Sequence, residues 1–179
     1  MIRNLKIALF FVLTMWIVFI VDIVIPIDFT IFGIIPRKME GLIGILASPF
    51  LHGSIAHIIA NTIPLFILLL LVLTFYKKNS VPVIIIIIIL GGFLVWLFGR
   101  NAYHIGASGL IYGLAGFLFS SGIFRRDVKS ILISIAIFLF YGGLIYGILP
   151  TQKGVSWEGH LFGVLVGVFC GYIFKKEKE

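Results

Sequence analysis

Six long apolar runs follow one another along the 179-residue chain, and they constrain its fold more than any other feature. They lie near residues 5–27, 52–75, 81–99, 108–124, 130–149 and 159–174. A helix needs about 20 apolar residues to cross the hydrocarbon core of a bilayer. Hydrophobic residues make up 61% of the chain, against about 45–50% in soluble domains, which could not bury so much apolar surface. The sequence therefore predicts an all-α integral membrane protein, with six transmembrane helices in a single domain over residues 1–179.

The basic residues that flank these runs indicate how the helices are oriented. On one side of the predicted bundle lie Arg3, Lys6, Lys77, Lys78, Arg125, Arg126, Lys129, Lys175, Lys176 and Lys178. On the other side lie Arg37, Lys38, Arg100 and Lys153. Because cytoplasmic segments of membrane proteins are enriched in Lys and Arg, both termini are predicted to be cytoplasmic, as an even number of spans requires. The short termini favour a prokaryotic plasma membrane. The dispersed basic residues indicate no nucleic-acid partner.

The connection between the first two predicted helices, residues 28–50, is too apolar to be a simply solvated loop. Gly33, Pro36, Gly41 and Gly44 interrupt it, so it cannot form a spanning helix. Apolar segments of this kind lie in the interface between water and hydrocarbon. We therefore expect a first loop that is half-embedded in the outer leaflet.

Every histidine in the chain lies near the start of an even-numbered predicted helix. His52 and His57 open the second, His104 precedes the fourth, and His160 opens the sixth. These three helices run inward from the outer surface in the predicted topology, so the histidines share one depth near that surface. Asn61 follows His57 by four residues, on the same helix face. Polar groups within a bilayer are costly unless they are buried, and they are candidates for function.

Small residues are predicted to bring a serine close to one of these histidines. In the last helix Gly159, Gly163, Gly167 and Gly171 recur at every fourth position, which permits close helix contact. The fourth helix carries small residues around Ser108, and a serine becomes a nucleophile when an imidazole takes its proton. We therefore predict a dyad of Ser108 and His160. His57, the Asn61 amide and the Ser108 backbone N–H are candidate donors to the oxyanion.

Neither a metal nor a cofactor is predicted. The zinc-protease pattern H-E-x-x-H does not occur in the sequence. An aspartyl protease needs two carboxylates within the membrane, and the predicted spans contain only Asp22. Asp22 is remote from the dyad in sequence and Glu158 is assigned to a loop, so no acid is expected as a third member. The single cysteine, Cys170, excludes disulfides and thiolate clusters.

At these residues the sequence resembles the rhomboid family of intramembrane serine proteases. The matching segments are His52-Gly-Ser-Ile-Ala-His57-Ile-Ile-Ala-Asn61, Gly106-Ala-Ser108-Gly109 with Tyr112, and Gly159-His160-Leu-Phe-Gly163. Their order and spacing fit the family's second, fourth and sixth helices. The resemblance implies the minimal six-transmembrane-helix rhomboid-like bundle, with residues 28–50 as the embedded first loop and 150–158 as a cap over the active site.

The resemblance also implies an activity and a role for each matching residue. Ser108 is the implied nucleophile and His160 its general base, while His57 and Asn61 line the oxyanion hole with the Ser108 amide. The implied substrates are single-span membrane proteins, cut near the outer face of the lipid bilayer. Tyr112 is implied to pack on the base. The supporting positions are His52, with a structural role, and Gly106, Gly109 and Gly163.

Two departures and two alternatives accompany this interpretation. The family's first loop often carries a Trp-Arg pair, but residues 28–50 contain no Trp. His104 matches no family role, and we expect it to be interfacial, although it could compete as a base. A catalytically inactive relative that binds membrane clients is the main alternative, disfavoured because Ser108 and His160 are both present. A transporter or channel is disfavoured because the polar cluster lies near one surface and no internal repeat is found.

Overall fold

The structure is a computed structural model that describes residues 2–151 and 154–176, and it is helical throughout most of them. The α-helices are Ile2–Val24 (α1), Gly44–Ala47 (α2), Ile55–Phe75 (α3), Ser80–Ile86 (α4), Gly92–Phe98 (α5), Ser108–Arg125 (α6), Val128–Tyr141 (α7) and Trp157–Ile173 (α8). A π-helical turn, Ile87–Gly91, joins α4 and α5 into one continuous rod. 3-10 turns occupy Phe29–Phe32, Met39–Leu42, Ser48–Phe50 and Gly142–Ile148.

Long apolar helices make this an integral membrane protein. Within the described residues, four helical stretches are long and apolar enough to cross a membrane, namely Ile2–Val24, Ile55–Phe75, Ser80–Phe98 and Val128–Ile148. Their outer faces carry exposed side chains such as Phe10, Ile63 and Phe140, which suit hydrocarbon rather than water. The α6 helix is rich in glycine and serine, and α8 is shorter than these four. The all-α membrane class is confirmed, while the count of six spans stays a prediction.

Local signals explain where the helices begin and end. The predicted second span starts at 52, but α3 starts at Ile55 because the Ser54 side chain caps it and accepts the His57 N–H at 3.2 Å. The first span was expected to reach 27, but α1 ends at Val24, just before Pro26. The fifth predicted span tightens into 3-10 geometry after Tyr141, where two glycines follow.

The α6 helix lies at the centre of the bundle, with most of its residues buried, and α8 packs along it. A Cβ on Gly163 or Gly167 would overlap the backbone carbonyls of Gly109 or Gly113 respectively. The glycine stripe of the last helix therefore faces the helix that carries Ser108. This contact places the amino-terminal ends of α6 and α8 side by side.

The first loop is tied to the carboxyl end of α5 instead of being held by a tryptophan of its own. The Trp96 indole donates to the Lys38 carbonyl at 2.8 Å. In return, the Arg37 guanidinium donates to the carbonyls of Leu97 and Gly99, at 3.2 and 2.8 Å. A Trp and an Arg thus brace this loop, but the Trp comes from the third predicted span. That the loop is half-embedded stays a prediction.

Candidate active site

Ser108 and His160 are in direct contact at the amino-terminal ends of α6 and α8. The distance from Ser108 Oγ to His160 Nε2 is 2.8 Å. Ser108 is the first residue of α6, and His160 lies in the first turn of α8. The two elements meet through the glycine stripe, so each side chain is held by a packed helix. The structure therefore brings together the two residues that the sequence pairs as nucleophile and base.

The other imidazole nitrogen identifies the tautomer of His160. Its Nδ1 lies 2.8 Å from the Gly147 carbonyl oxygen, in the 3-10 turn that follows α7. A carbonyl oxygen only accepts hydrogen bonds, so Nδ1 carries the proton and Nε2 presents its lone pair to the Ser108 hydroxyl. This is the arrangement that a general base requires. A backbone carbonyl occupies the place where an acid would stand in a triad.

Tyr112 and Gly147 hold the imidazole ring between them. The Tyr112 ring stacks on His160 with ring centroids 4.0 Å apart and an interplanar angle of 4°. A Cβ at Gly147 would overlap the Tyr112 hydroxyl and lie 3.2 Å from His160 Nδ1, so only glycine fits there. Gly147 is absent from the sequence-predicted site, since one glycine among three in an apolar run carries no distinguishing signal.

His57 lies beside the backbone that leads into Ser108. Gly106 has φ +106°, a conformation that side chains disfavour, and a Cβ there would lie 2.6 Å from His57 Nε2. The imidazole therefore covers the turn from which the Ser108 N–H emerges. Gly109 is less restricted, because a Cβ there would make an ordinary contact of 3.4 Å with the Gly159 carbonyl.

Asn61 is buried one turn further along α3, where its side-chain nitrogen donates to the His57 carbonyl at 2.8 Å. An amide nitrogen carries two hydrogens, so the second remains available to a ligand. Asn61 and His57 line the same cavity as Ser108 and His160, which has a volume of about 580 Å³. That volume falls in the range of about 300–1,000 Å³ that is typical of ligand sites.

His52 is buried behind His57 and makes no hydrogen bond with the dyad. Its Nδ1 is 3.4 Å from the Phe50 carbonyl, and its ring meets the His57 ring edge-on at a centroid distance of 4.9 Å. Among the described residues, its Nε2 has no hydrogen-bond partner. Burial, with the adjacent His57, lowers the pKa of His52 to about 4. His52 is therefore neutral near pH 7.

We expected His104 to be an interfacial residue; its side chain is buried within the protein, with 3% of its surface exposed. Its Nδ1 is 2.6 Å from the Ser156 hydroxyl, and its Nε2 is 3.1 Å from the Arg100 carbonyl. Its backbone pairs with Ile34 of the first loop in an antiparallel bridge. Since both ring nitrogens are engaged elsewhere, His104 does not compete as the base for Ser108. Burial lowers the pKa of His104.

Glu158 is a buried acid that the sequence misassigns to a loop. It lies in the first turn of α8, with 3% of its surface exposed. Its Oε1 accepts the Arg100 backbone N–H at 3.2 Å and lies 3.7 Å from the Arg100 Nε. Its Oε2 has no hydrogen-bond partner within the part of the chain that the structure describes. The capping serine, Ser156, starts the helix early enough to include this residue.

Part of the predicted cap lies outside the described residues, namely Gln152 and Lys153. The described part, which includes Gly154, Val155 and Ser156, borders the cavity over the dyad. No group of three or more His, Cys, Asp or Glu side chains within residues 2–151 and 154–176 is placed to share a metal ion.

Comparisons with known proteins place this chain in a family. The model of the Rhomboid domain matches residues 39–177. Rv1337 of Mycobacterium tuberculosis and Mb1372 of Mycobacterium bovis, both uncharacterised, are 38% identical over 150 residues, covering 79% of this chain and 62% of each relative. ML1171 of Mycobacterium leprae, also uncharacterised, is 35% identical over 150 residues, covering 79% of this chain and 59% of the relative. The match thus spans about three fifths of the length of these relatives.

Proposed function

The chain belongs to the rhomboid family, and on that premise we propose that it is a serine-type intramembrane endopeptidase. Ser108 is the nucleophile and His160 the general base. Family membership supports an intramembrane protease in general. The contact between Ser108 Oγ and His160 Nε2, 2.8 Å long with the imidazole fixed on the Gly147 carbonyl, is the observation that carries the proposal.

The proposed reaction proceeds in two acyl-transfer steps. The Ser108 hydroxyl gives its proton to His160 Nε2 as Oγ attacks the scissile carbonyl carbon, and the carbonyl oxygen becomes an oxyanion. His160 then returns the proton to the departing amine, which breaks the peptide bond and leaves an ester on Ser108. A water molecule, deprotonated by the same imidazole, hydrolyses this ester and restores the serine.

Charge develops on the substrate oxygen, and donors that are already in place stabilise it best. The Ser108 N–H begins α6, and His57 and Asn61 line the same cavity as Ser108. Removing one such donor from a serine protease costs roughly 10²–10³-fold in kcat. We assign the oxyanion hole to these three groups.

The proposed substrates are single-span membrane proteins that are cut near the outer face. The cavity is bordered by Ala60 and Pro64 of α3 on one side and by Leu144 of the 3-10 turn on another. It therefore opens between helices whose other faces suit lipid. With the predicted six spans and cytoplasmic termini, the dyad faces outward in a prokaryotic plasma membrane.

Cleavage of a single-span reporter in liposomes tests the proposal. The native chain is compared with Ser108→Ala, His160→Ala and a matched control, Ser121→Ala, which removes another buried serine of the same helix. We expect the native chain and Ser121→Ala to cleave, and both dyad variants to be inactive while remaining folded. Cleavage by Ser108→Ala would refute the proposed nucleophile.

The same preparation separates the protease from the inactive client-binding alternative. A fluorophosphonate probe labels a serine only if a base activates it. Labelling of the native chain that is lost in Ser108→Ala supports the protease even when the reporter sequence is a poor substrate. If the native chain binds the reporter but does not cleave it, and the probe does not label Ser108, the client-binding alternative is correct.

A further inference from the structure

The two segments that carry the dyad are joined a second time by a hydrogen bond between the buried side chain of His104 and the partly buried side chain of Ser156. His104 precedes Ser108 by four residues, and Ser156 precedes His160 by four residues. The distance from His104 Nδ1 to Ser156 Oγ is 2.6 Å. The link therefore connects two residues that each lie four positions before a residue of the dyad. One belongs to the segment that leads into α6, and the other to the segment that leads into α8.

The donors and acceptors along this link can be assigned throughout. The Arg100 carbonyl only accepts, so His104 Nε2, at 3.1 Å, carries the proton and Nδ1 is left as an acceptor. The Ser156 hydroxyl then donates to Nδ1. The same hydroxyl accepts the Gly159 N–H at 3.3 Å, and the Ser156 carbonyl accepts the N–H of His160 itself at 3.2 Å.

The link ends at the residue that fixes the first turn of α8. Ser156 is the N-cap, and its position sets where His160 points relative to the rest of the bundle. His104 in turn is fixed by its backbone pairing with Ile34 and by burial. A second tie, from Glu158 to Arg100, connects the same two segments.

We propose that His104 and Ser156 are positioning residues, which hold the first turn of α8 at the distance from α6 that the Ser108–His160 hydrogen bond requires. This inference rests on the proposed proteolytic function. Neither side chain is hydrogen-bonded to the Ser108 or His160 side chain, and neither exchanges a proton with substrate. A partly buried link in which both ring nitrogens of His104 are hydrogen-bonded favours one arrangement of the segments that it joins.

Substitutions that keep or remove one end of the link test the proposal. In His104→Asn, the side-chain oxygen lies near the former Nδ1 position and keeps the hydrogen bond to Ser156. In His104→Gln, the longer side chain reaches the Arg100 carbonyl, and the hydrogen bond to Ser156 is lost. Ser156→Thr keeps the hydroxyl and Ser156→Ala removes it. The readouts are kcat and KM for the liposome reporter, the rate of fluorophosphonate labelling at Ser108, and thermal unfolding.

We expect kcat and the labelling rate to fall at least about tenfold in His104→Gln and in Ser156→Ala, with KM little changed, because a misplaced base slows chemistry. His104→Asn and Ser156→Thr should recover most of the native kcat. The double variant His104→Gln, Ser156→Ala should be no slower than either single variant, because both remove one interaction. If His104→Gln or Ser156→Ala does not fold, the kcat values of His104→Asn and Ser156→Thr still test the proposal.

Four outcomes would overturn the inference. Native kcat in His104→Gln would remove the positioning role, as would losses that multiply in the double variant. A failure of Asn and Thr to restore kcat in folded protein would reduce the two residues to general packing. A native chain that neither cleaves nor labels would refute the proposed function and this inference together, whereas an active native chain with unaffected variants refutes only the inference.

Discussion

Replacing Gly163 by alanine tests whether the close approach of α8 to α6 brings the dyad together. A Cβ at this position would overlap the Gly109 carbonyl oxygen and lie 3.1 Å from its carbon and 3.3 Å from the Gly113 nitrogen. These are backbone atoms of a central helix, so none of them can turn aside. The added methyl group can be accommodated only if the two helices move apart.

The size of the effect follows from the geometry. Carbon contacts are optimal at about 3.5–4.0 Å, so relief of the overlap requires a separation on the order of 1 Å. Gly109 directly follows Ser108, and the same movement would stretch the 2.8 Å hydrogen bond to His160 beyond its normal range. A misplacement of about 1 Å can cost roughly 10²-fold in rate. Overpacking adds a loss of stability of about 1–3 kcal/mol.

We therefore expect kcat for Gly163→Ala to fall about a hundredfold in the liposome assay, with a lower unfolding temperature. The matched control is Gly91→Ala, a buried helical glycine at which an added Cβ meets nothing within 4 Å. It should keep the native rate. If Gly163→Ala cleaves as fast as Gly91→Ala, helix separation does not control the dyad and the reasoning is refuted.

Three further variants probe the surroundings of the dyad. Gly147→Ala should lower kcat roughly 10–100-fold by displacing the Tyr112 ring and the carbonyl that orients the base; a native kcat would show that the added methyl group displaces neither of them. Gly106→Ala should lower both the labelling rate and stability, since φ is +106° and the methyl group would strike His57; full labelling would contradict the contact. The pKa of His52 is lowered to about 4 in the folded protein, so the unfolded chain binds a proton more readily than the folded one. The free energy of unfolding is therefore highest above about pH 6.5 and falls as the pH drops toward 4. The loss is on the order of 2 kcal/mol at pH 5; unfolding temperatures at pH 7.5 and 5 should differ less in His52→Gln, and an equal difference would refute the assignment.

Several elements of the site follow from sequence patterns that depend on local physics. Long apolar runs make helices, and a serine beside small residues permits a close helix contact. The spacing of Gly163 and Gly167 predicts the packing of the last helix onto the one that begins at Ser108, and the structure has it. Periodicity suffices there because an α-helix presents every fourth residue on nearly the same face.

Other elements could not be read from the chain because they depend on backbone groups or on distant segments. The partner of His160 Nδ1 is the carbonyl of Gly147, and every residue has a carbonyl, so no residue type marks it. The tryptophan that braces the first loop is Trp96, which belongs to another helix, so a search of residues 28–50 does not find it. The sequence assigns Glu158 to a loop because the last apolar run begins only near residue 159, and no local pattern marks its contact with Arg100, 58 positions away.

The sequence by itself determined that the protein is a membrane-embedded bundle of helices, and it predicted that the four histidines lie near one surface. The helical bundle follows from the hydrocarbon core of the bilayer, where each apolar run must satisfy its own backbone hydrogen bonds by forming a helix. Only the tertiary structure decided which tautomer His160 adopts on the Gly147 carbonyl, and that His104 is hydrogen-bonded to Ser156. Those outcomes depend on distances of a few tenths of an ångström between groups that are separated along the chain, which packing sets and sequence spacing does not.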